Sequence, residues 1–201
     1  MRTPLLMLLL VAAPACQSLY GSDDEWQVLF DGDASGWAMA GPGGFNVEDD
    51  AMTAYGGMGL YWYSQAEYED FHLKFEWKVA DKTNNSGVFV RFPYPKNDKG
   101  EMDPWVAVHQ GYEFQICDTG VDVHNTGSAY SFQGVSHMPT KEVGKWNQYE
   151  IIAVGQNYTI KINGEVVNEF VGERGTKGYI GLQNHDDGSP VAFRNVHVRE
   201  L

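Results

Sequence analysis

Phe71–Val79 reads FHLKFEWKV. Phe71, Leu73, Phe75, Trp77 and Val79 fall on every second position, with His72, Lys74, Glu76 and Lys78 between them. Strand side chains alternate between the two faces with a period of two, so this stretch predicts a strand with one face in a core and one in water. Outward from it the same texture recurs. Tyr149–Val154 and Tyr158–Ile162 are further apolar runs, and Asn163-Gly164 is a two-residue hairpin turn leading into Glu165–Phe170. Asp49-Asp50, between Phe45–Val47 and Met52–Tyr55, reads as another hairpin. Aromatic residues make up 13% of the chain and glycine occurs 23 times, mostly between such runs, which is an all-β profile. About a dozen strands with no convincing amphipathic helix predict two antiparallel sheets packed as a sandwich.

Charge and cysteine content narrow the function classes. With 27 acidic against 14 basic side chains and no Lys/Arg cluster, nucleic acid is not expected as a partner. Residues 1–15 carry a basic start, an apolar run over Leu5–Ala13 too short to span a bilayer, and the small residues Ala13-Pro14-Ala15. This pattern predicts a signal peptide and an exported protein. Cys16 follows at the position a bacterial lipoprotein would lipidate, and residues 16–25 read as a tether. A lipid on Cys16 would leave Cys117 as a lone thiol, a residue type usually buried as a small apolar group. One domain is expected over 26–201.

Gly111–Asp118, GYEFQICD, holds the chemistry. As a strand it sends Tyr112, Phe114 and Ile116 to one face and Glu113 and Gln115 to the other. Arg91 in Asn85–Arg91 (NSGVFVR) and Gln183 and His185 in Gly181–His185 (GLQNH) are likewise in phase with a non-core face. A sheet face carrying carboxylate, amide, guanidinium and imidazole offers both donors and acceptors to sugar hydroxyls. On residue type Asn85 and Ser86 read first as local backbone caps and second as ligand contacts. The long irregular segments Pro93–Gln110 and Thr119–Lys145 are placed to wall a cleft. Six histidines occur without HxH or HExxH spacing, and Asp122-Val123-His124 reads as loop. A divalent cation, Ca2+ or Mn2+, held by loop oxygens is left open, because such sites leave little mark on a sequence. There is no GxSxG elbow for a serine hydrolase. A retaining glycosidase needs a second acid near Glu113, where Gln115 stands and Asp118 is out of phase.

The motifs LFDG with GW, NSGVFVR, GYEFQICD, TGSAY, KWNQYEI, ING, GLQNH and FRNVHVREL occur in this order from Val28 to Leu201. Together they resemble the DUF1080 family, the 3-keto-disaccharide hydrolase domain. Cys117, where an aliphatic residue is usual, and the length of Pro93–Gln110 depart from the family pattern. The resemblance implies a concanavalin A-like jelly-roll sandwich with a sugar site on the concave sheet. It also implies cleavage of 3-keto-glycosides, by hydrolysis or by 1,2-elimination and hydration. On that reading Glu113 and His185 share the roles of base and acid, and Arg91, with or without a cation, stabilises an enolate. Asn85, Gln115, Gln183 and Asp118 contact the sugar, while Tyr130, Trp105 or Trp146 supplies a stacking wall. The alternatives are a non-catalytic carbohydrate-binding module, an ordinary β-glucanase, or a structural protein of the cell envelope.

Overall fold

A computed structural model describes residues 25–201. The stretch read as a signal peptide over 1–15, Cys16, and all but the last residue of the stretch 16–25 read as a tether lie outside the described residues. In chain order the strands are β1 (Gln27–Phe30), β2 (Trp37–Ala40), β3 (Gly44–Glu48), β4 (Ala51–Tyr55), β5 (Gly59–Tyr63), β6 (Phe71–Lys78) and β7 (Ser86–Phe92). A short helix, α1 (Trp105–Gln110), precedes β8 (Tyr112–Ile116). They are followed by β9 (Asn147–Val154), β10 (Asn157–Ile162), β11 (Glu165–Val171), β12 (Tyr179–Asn184) and β13 (Ala192–Glu200). An eight-stranded sheet runs β11-β10-β9-β6-β13-β4-β3, with β1 also paired to β13. A five-stranded sheet runs β2-β5-β12-β7-β8. All pairings are antiparallel. The fold is the expected concanavalin A-like jelly-roll sandwich.

Alternation in the sequence becomes alternation in burial. Along β6 the residues run buried, half-buried, buried to the end of the strand. Phe75 stacks on Tyr149 with ring centroids 5.0 Å apart, and both join the main core with Val88, Phe114 and Leu182 from the facing sheet. Truncating such a buried aromatic to Ala costs about 3–5 kcal/mol, which makes this layer the main source of stability. The two hairpin turns form where the sequence places them. Asp49 and Asp50 (φ 49° and 58°) and Asn163 and Gly164 (φ 52° and 86°) adopt the left-handed conformations that a tight primed turn requires.

Two features depart from the sequence reading. The segment Pro93–Gln110 contains α1, a six-residue helix with too few turns to leave a periodic signal. Asp103 Oδ1 accepts the Trp105 backbone N–H at 2.9 Å just before it. Ahead of the helix the chain is braced by a bridge between Lys96 and Met102 and by Asn97 Oδ1, which accepts from the Lys99 and Glu101 backbones. The second departure concerns Arg91. Strict alternation puts Arg91 on the face of Phe89, but Tyr179 pairs with Phe92 and Ile180 with Val90, so Arg91 is an extra residue in a β-bulge. Its φ is 56°. From that point the phase of β7 reverses: Phe89 and Phe92 share the outer cluster under α1, and Arg91 turns between the sheets.

Candidate functional site

The outer face of the five-stranded sheet, beneath α1 and the arm preceding it, holds a cleft of about 140 Å³. At about 30 Å³ of liquid volume per water, that is room for roughly five waters. Asn85, Glu113, Gln115, Gln183 and His185 line it, with Trp105 and Tyr130 on its walls. Seven of the residues singled out in the sequence therefore meet in one place. The geometry follows from register. Strand β7 lies between β8 and β12, with Phe89 opposite both Glu113 and Gly181. Period-two alternation then puts Glu113, Gln115, Gln183 and His185 on one side.

Glu113 is the cleft's buried carboxyl, 7% exposed. Burial pushes its pKa up to about 8, partly offset by a hydrogen bond from Gln183. The amide of Gln115, with its nitrogen turned toward the carboxyl, donates to Ser86 O at 2.7 Å and to Glu113 Oε1 at 3.2 Å. Beneath Glu113 lies Gly87. A Cβ there would overlap Glu113 Oε1 and sit 2.8 Å from Cγ, so only glycine leaves the carboxyl room to lie flat along the sheet. Tyr149, behind the sheet, donates from its hydroxyl to Gln115 O at 3.3 Å. Burial, then the nearby Glu113 charge, raises its own pKa.

His185 occupies the other side. Its Nδ1 lies 2.5 Å from Asp186 Oδ2, and its Nε2 lies 3.2 Å from Asn85 Nδ2. Both contacts are satisfied by one tautomer, in which Nδ1–H donates to the carboxylate and the Nε2 lone pair accepts from the amide. Hydrogen bonding from His185 holds the Asp186 pKa below the ordinary carboxylate range. Ser189 Oγ donates to Asp186 Oδ2 at 3.1 Å and accepts the Asn85 backbone N–H at 2.9 Å, tying the two loops together. Asn84, not Asn85, does the local capping, accepting from the Ala80 and Asp81 backbones at 2.9 Å. That division of labour frees the Asn85 side chain for the site.

Three predicted residues lie elsewhere. Arg91 is 1% exposed and donates to Glu69 O, Gly155 O and Tyr158 Oη, with Asp70 Oδ1 at 3.2 Å. The bulge has carried it away from the cleft, so it cannot stabilise an enolate there. Trp146 lies under Arg194, 4.1 Å from its ring centroid, and Lys78, 4.7 Å away, on the outer side of the other sheet. Asp118 Oδ1 accepts from Thr126 Oγ1 at 2.7 Å, closing a loop whose Thr126 in turn receives the Cys117 N–H. Cys117 itself is free and buried. Among the described residues no group of three or more His, Cys, Asp or Glu is arranged to hold a metal ion. Glu113 is the one carboxylate among the residues lining the cleft.

Sequence reasoning missed Asp186, Gly87 and the apolar lining from Met58, Pro104 and Val108. The adjacency of Asp186 to His185 was visible in the sequence. The apolar contacts are set by loop packing and left no pattern.

The comparisons with known proteins agree with this architecture. The model of the 3-keto-alpha-glucoside-1,2-lyase-like domain matches residues 25–199. No curated protein matches the chain. Among solved structures, a "putative glycosyl hydrolase" from Parabacteroides distasonis ATCC 8503 is 22% identical, with TM-score 0.75 over 88% of this chain and 94% of that one. A second from the same organism is 26% identical, with TM-score 0.72 over 89% and 100%. The carbohydrate-binding module CBM66 from Bacillus subtilis, at 16% identity and TM-score 0.57 over 82% and 96%, shares the fold. With almost the whole described chain matched by one family model, the protein belongs to the 3-keto-alpha-glucoside-1,2-lyase-like domain family.

Proposed function

We propose that the protein is a carbohydrate-active enzyme that cleaves 3-keto-glycosides by 1,2-elimination, with His185 as base and Glu113 as general acid. The observation that carries this reading is the pairing, in one cleft, of a carboxyl whose pKa is raised to about 8 with a histidine backed by Asp186. A buried carboxyl that keeps its proton and an imidazole whose Nδ1–H is held by Asp186 offer an acid and a base within one site. A carbonyl at C3 acidifies the hydrogen on C2. His185 Nε2 takes that proton, and the electron pair passes through an enolate to form the C1–C2 double bond as the C1–O bond breaks. Glu113 gives its proton to the departing oxygen. The products are the unsaturated keto-sugar and a free alcohol, and water added across the double bond completes a net hydrolysis. Asn85 Nδ2, which donates to His185 Nε2 in the free site, is assigned to the enolate oxygen once substrate displaces that contact and frees the Nε2 lone pair. Gln183 Oε1, buried and without a hydrogen-bond partner among the described residues, is assigned to a sugar hydroxyl.

A retaining β-glucanase is disfavoured by the cleft's single carboxylate, since that chemistry needs two about 5–5.5 Å apart. The test is turnover of methyl 3-keto-α-glucoside against the unoxidised glucoside, with the C2-deuterated substrate as a third arm. The reading predicts release of methanol from the keto-sugar alone, slowed by deuterium. It also predicts that Asp186→Asn lowers kcat about 10–100-fold by releasing the His185 tautomer. Binding of sugar without turnover would make the protein a carbohydrate-binding module, and turnover without an isotope effect would reject elimination. The leader-like sequence of residues 1–15 and Cys16 support an exported, lipid-anchored protein, which metabolic lipid labelling of wild type against Cys16→Ser tests.

A further inference from the structure

The polar groups of the cleft lie along β8, the end of β12 and the start of β7, whereas Met58, Pro104, Trp105 and Val108 form its opposing wall. These four come from two segments that meet at Gly41. A Cβ at Gly41 would lie 2.8 Å from Pro104 Cγ and 3.0 Å from Met58 O. The wall is thus pinned against the sheet and adjoins His185, whose backbone packs on Gly57. Met58 is 47% and Trp105 48% exposed, although comparable aromatics such as Trp62 are about 1% exposed. Both present apolar surface to whatever enters. Apart from the Trp105 indole N–H and the weakly accepting Met58 sulfur, no side chain of the wall donates or accepts a hydrogen bond. A second sugar ring seated there would lose water from several hydroxyls without replacing those bonds, which selects against it.

We infer that this wall is an aglycone subsite for an apolar alcohol, so that the preferred substrates are 3-keto-glucosides of alicyclic or aryl-alkyl alcohols and not 3-keto-disaccharides. The inference rests on the elimination reading for its catalytic arm, and a binding arm makes it separable. Methyl, cyclohexylmethyl and 6-O-linked glucosyl (isomaltose-type) 3-keto-α-glucosides are compared, because methanol, cyclohexylmethanol and the glucose 6-hydroxyl leave with similar ease. The expected result is a kcat/KM at least about tenfold higher for cyclohexylmethyl than for glucosyl. Trp105→Ser and Met58→Ser each bring that ratio close to one. In parallel, calorimetry measures binding of the unoxidised cyclohexylmethyl glucoside and of the matching disaccharide to wild type and both variants, with circular dichroism to establish folding. If no keto-sugar is turned over, the elimination reading fails and the binding preference alone decides the subsite. Equal or tighter binding of the disaccharide, or a ratio unmoved by both substitutions, overturns the subsite.

Discussion

Arg91 and Glu113 lie on neighbouring strands of one sheet, both almost wholly buried, and they are handled in opposite ways. Arg91 is surrounded by acceptors: two backbone carbonyls, the Tyr158 hydroxyl and the Asp70 carboxylate. Its aliphatic stem and planar head are packed near Phe71 and Tyr158. Glu113 has no cation beside it, receives amide donors only, and responds by shifting its pKa to about 8. A buried charge that is fully satisfied holds a fold together; one left short of partners keeps its proton and can give it away. The difference separates a structural residue from a chemical one where composition and burial treat them alike.

The largest expected effect breaks the Arg91 side of this comparison. Arg91→Met leaves the Glu69 and Gly155 carbonyls without their guanidinium donor and Asp70 with only the Gly155 N–H, and should destabilise the fold by about 3–5 kcal/mol. Urea unfolding would register this, while the activity of the folded fraction persists because Arg91 does not reach the cleft. Glu113→Gln should do the reverse: kcat/KM falls about 10²–10⁴-fold, and stability rises at alkaline pH. The sign follows from linkage. With a folded pKa of about 8 against 4.5 for the free group, the folded chain holds a proton that the unfolded chain has lost between those values. Stability therefore declines as pH rises from about 4.5 to about 8. The variant lacks that decline, and its Tm at pH 8 should exceed wild type by roughly 5–10 °C.

How legible this was in the sequence differs from residue to residue. The sandwich was readable from Phe71–Val79 and the hairpin turns, because burial on one face imposes a period of two. Glu113, Gln115, Gln183 and His185 were readable for the same reason: each strand keeps its phase up to the cleft. Arg91 failed because a single extra residue in β7 reverses the phase, and nothing in VFVRF marks the bulge. Trp146 and Asp118 failed for a different reason. Their positions depend on which loops meet, and that is fixed by contacts distant in sequence. Asp186 was adjacent to His185 yet carried no meaning until the imidazole's orientation was known.

The smallest effect sharpens the Glu113 side. Gly87→Ala places a methyl against the carboxyl and should force it off the sheet, costing about 1–3 kcal/mol of stability. It should lower kcat/KM by about 10-fold or more, with the bound proton released at lower pH as the side chain reaches water. The Arg91 environment would be untouched, so the two variants together dissect one sheet into its structural and chemical halves.

The most direct test is a site-resolved titration of Glu113, following its side-chain carboxyl carbon by ¹³C NMR, with Glu113→Gln to assign the resonance. A midpoint near 8 is predicted, with the carboxyl still protonated at neutral pH. A midpoint near the free-group value of 4.5 would mean an ionised carboxylate at neutral pH, and the assignment of Glu113 as the acid would be wrong.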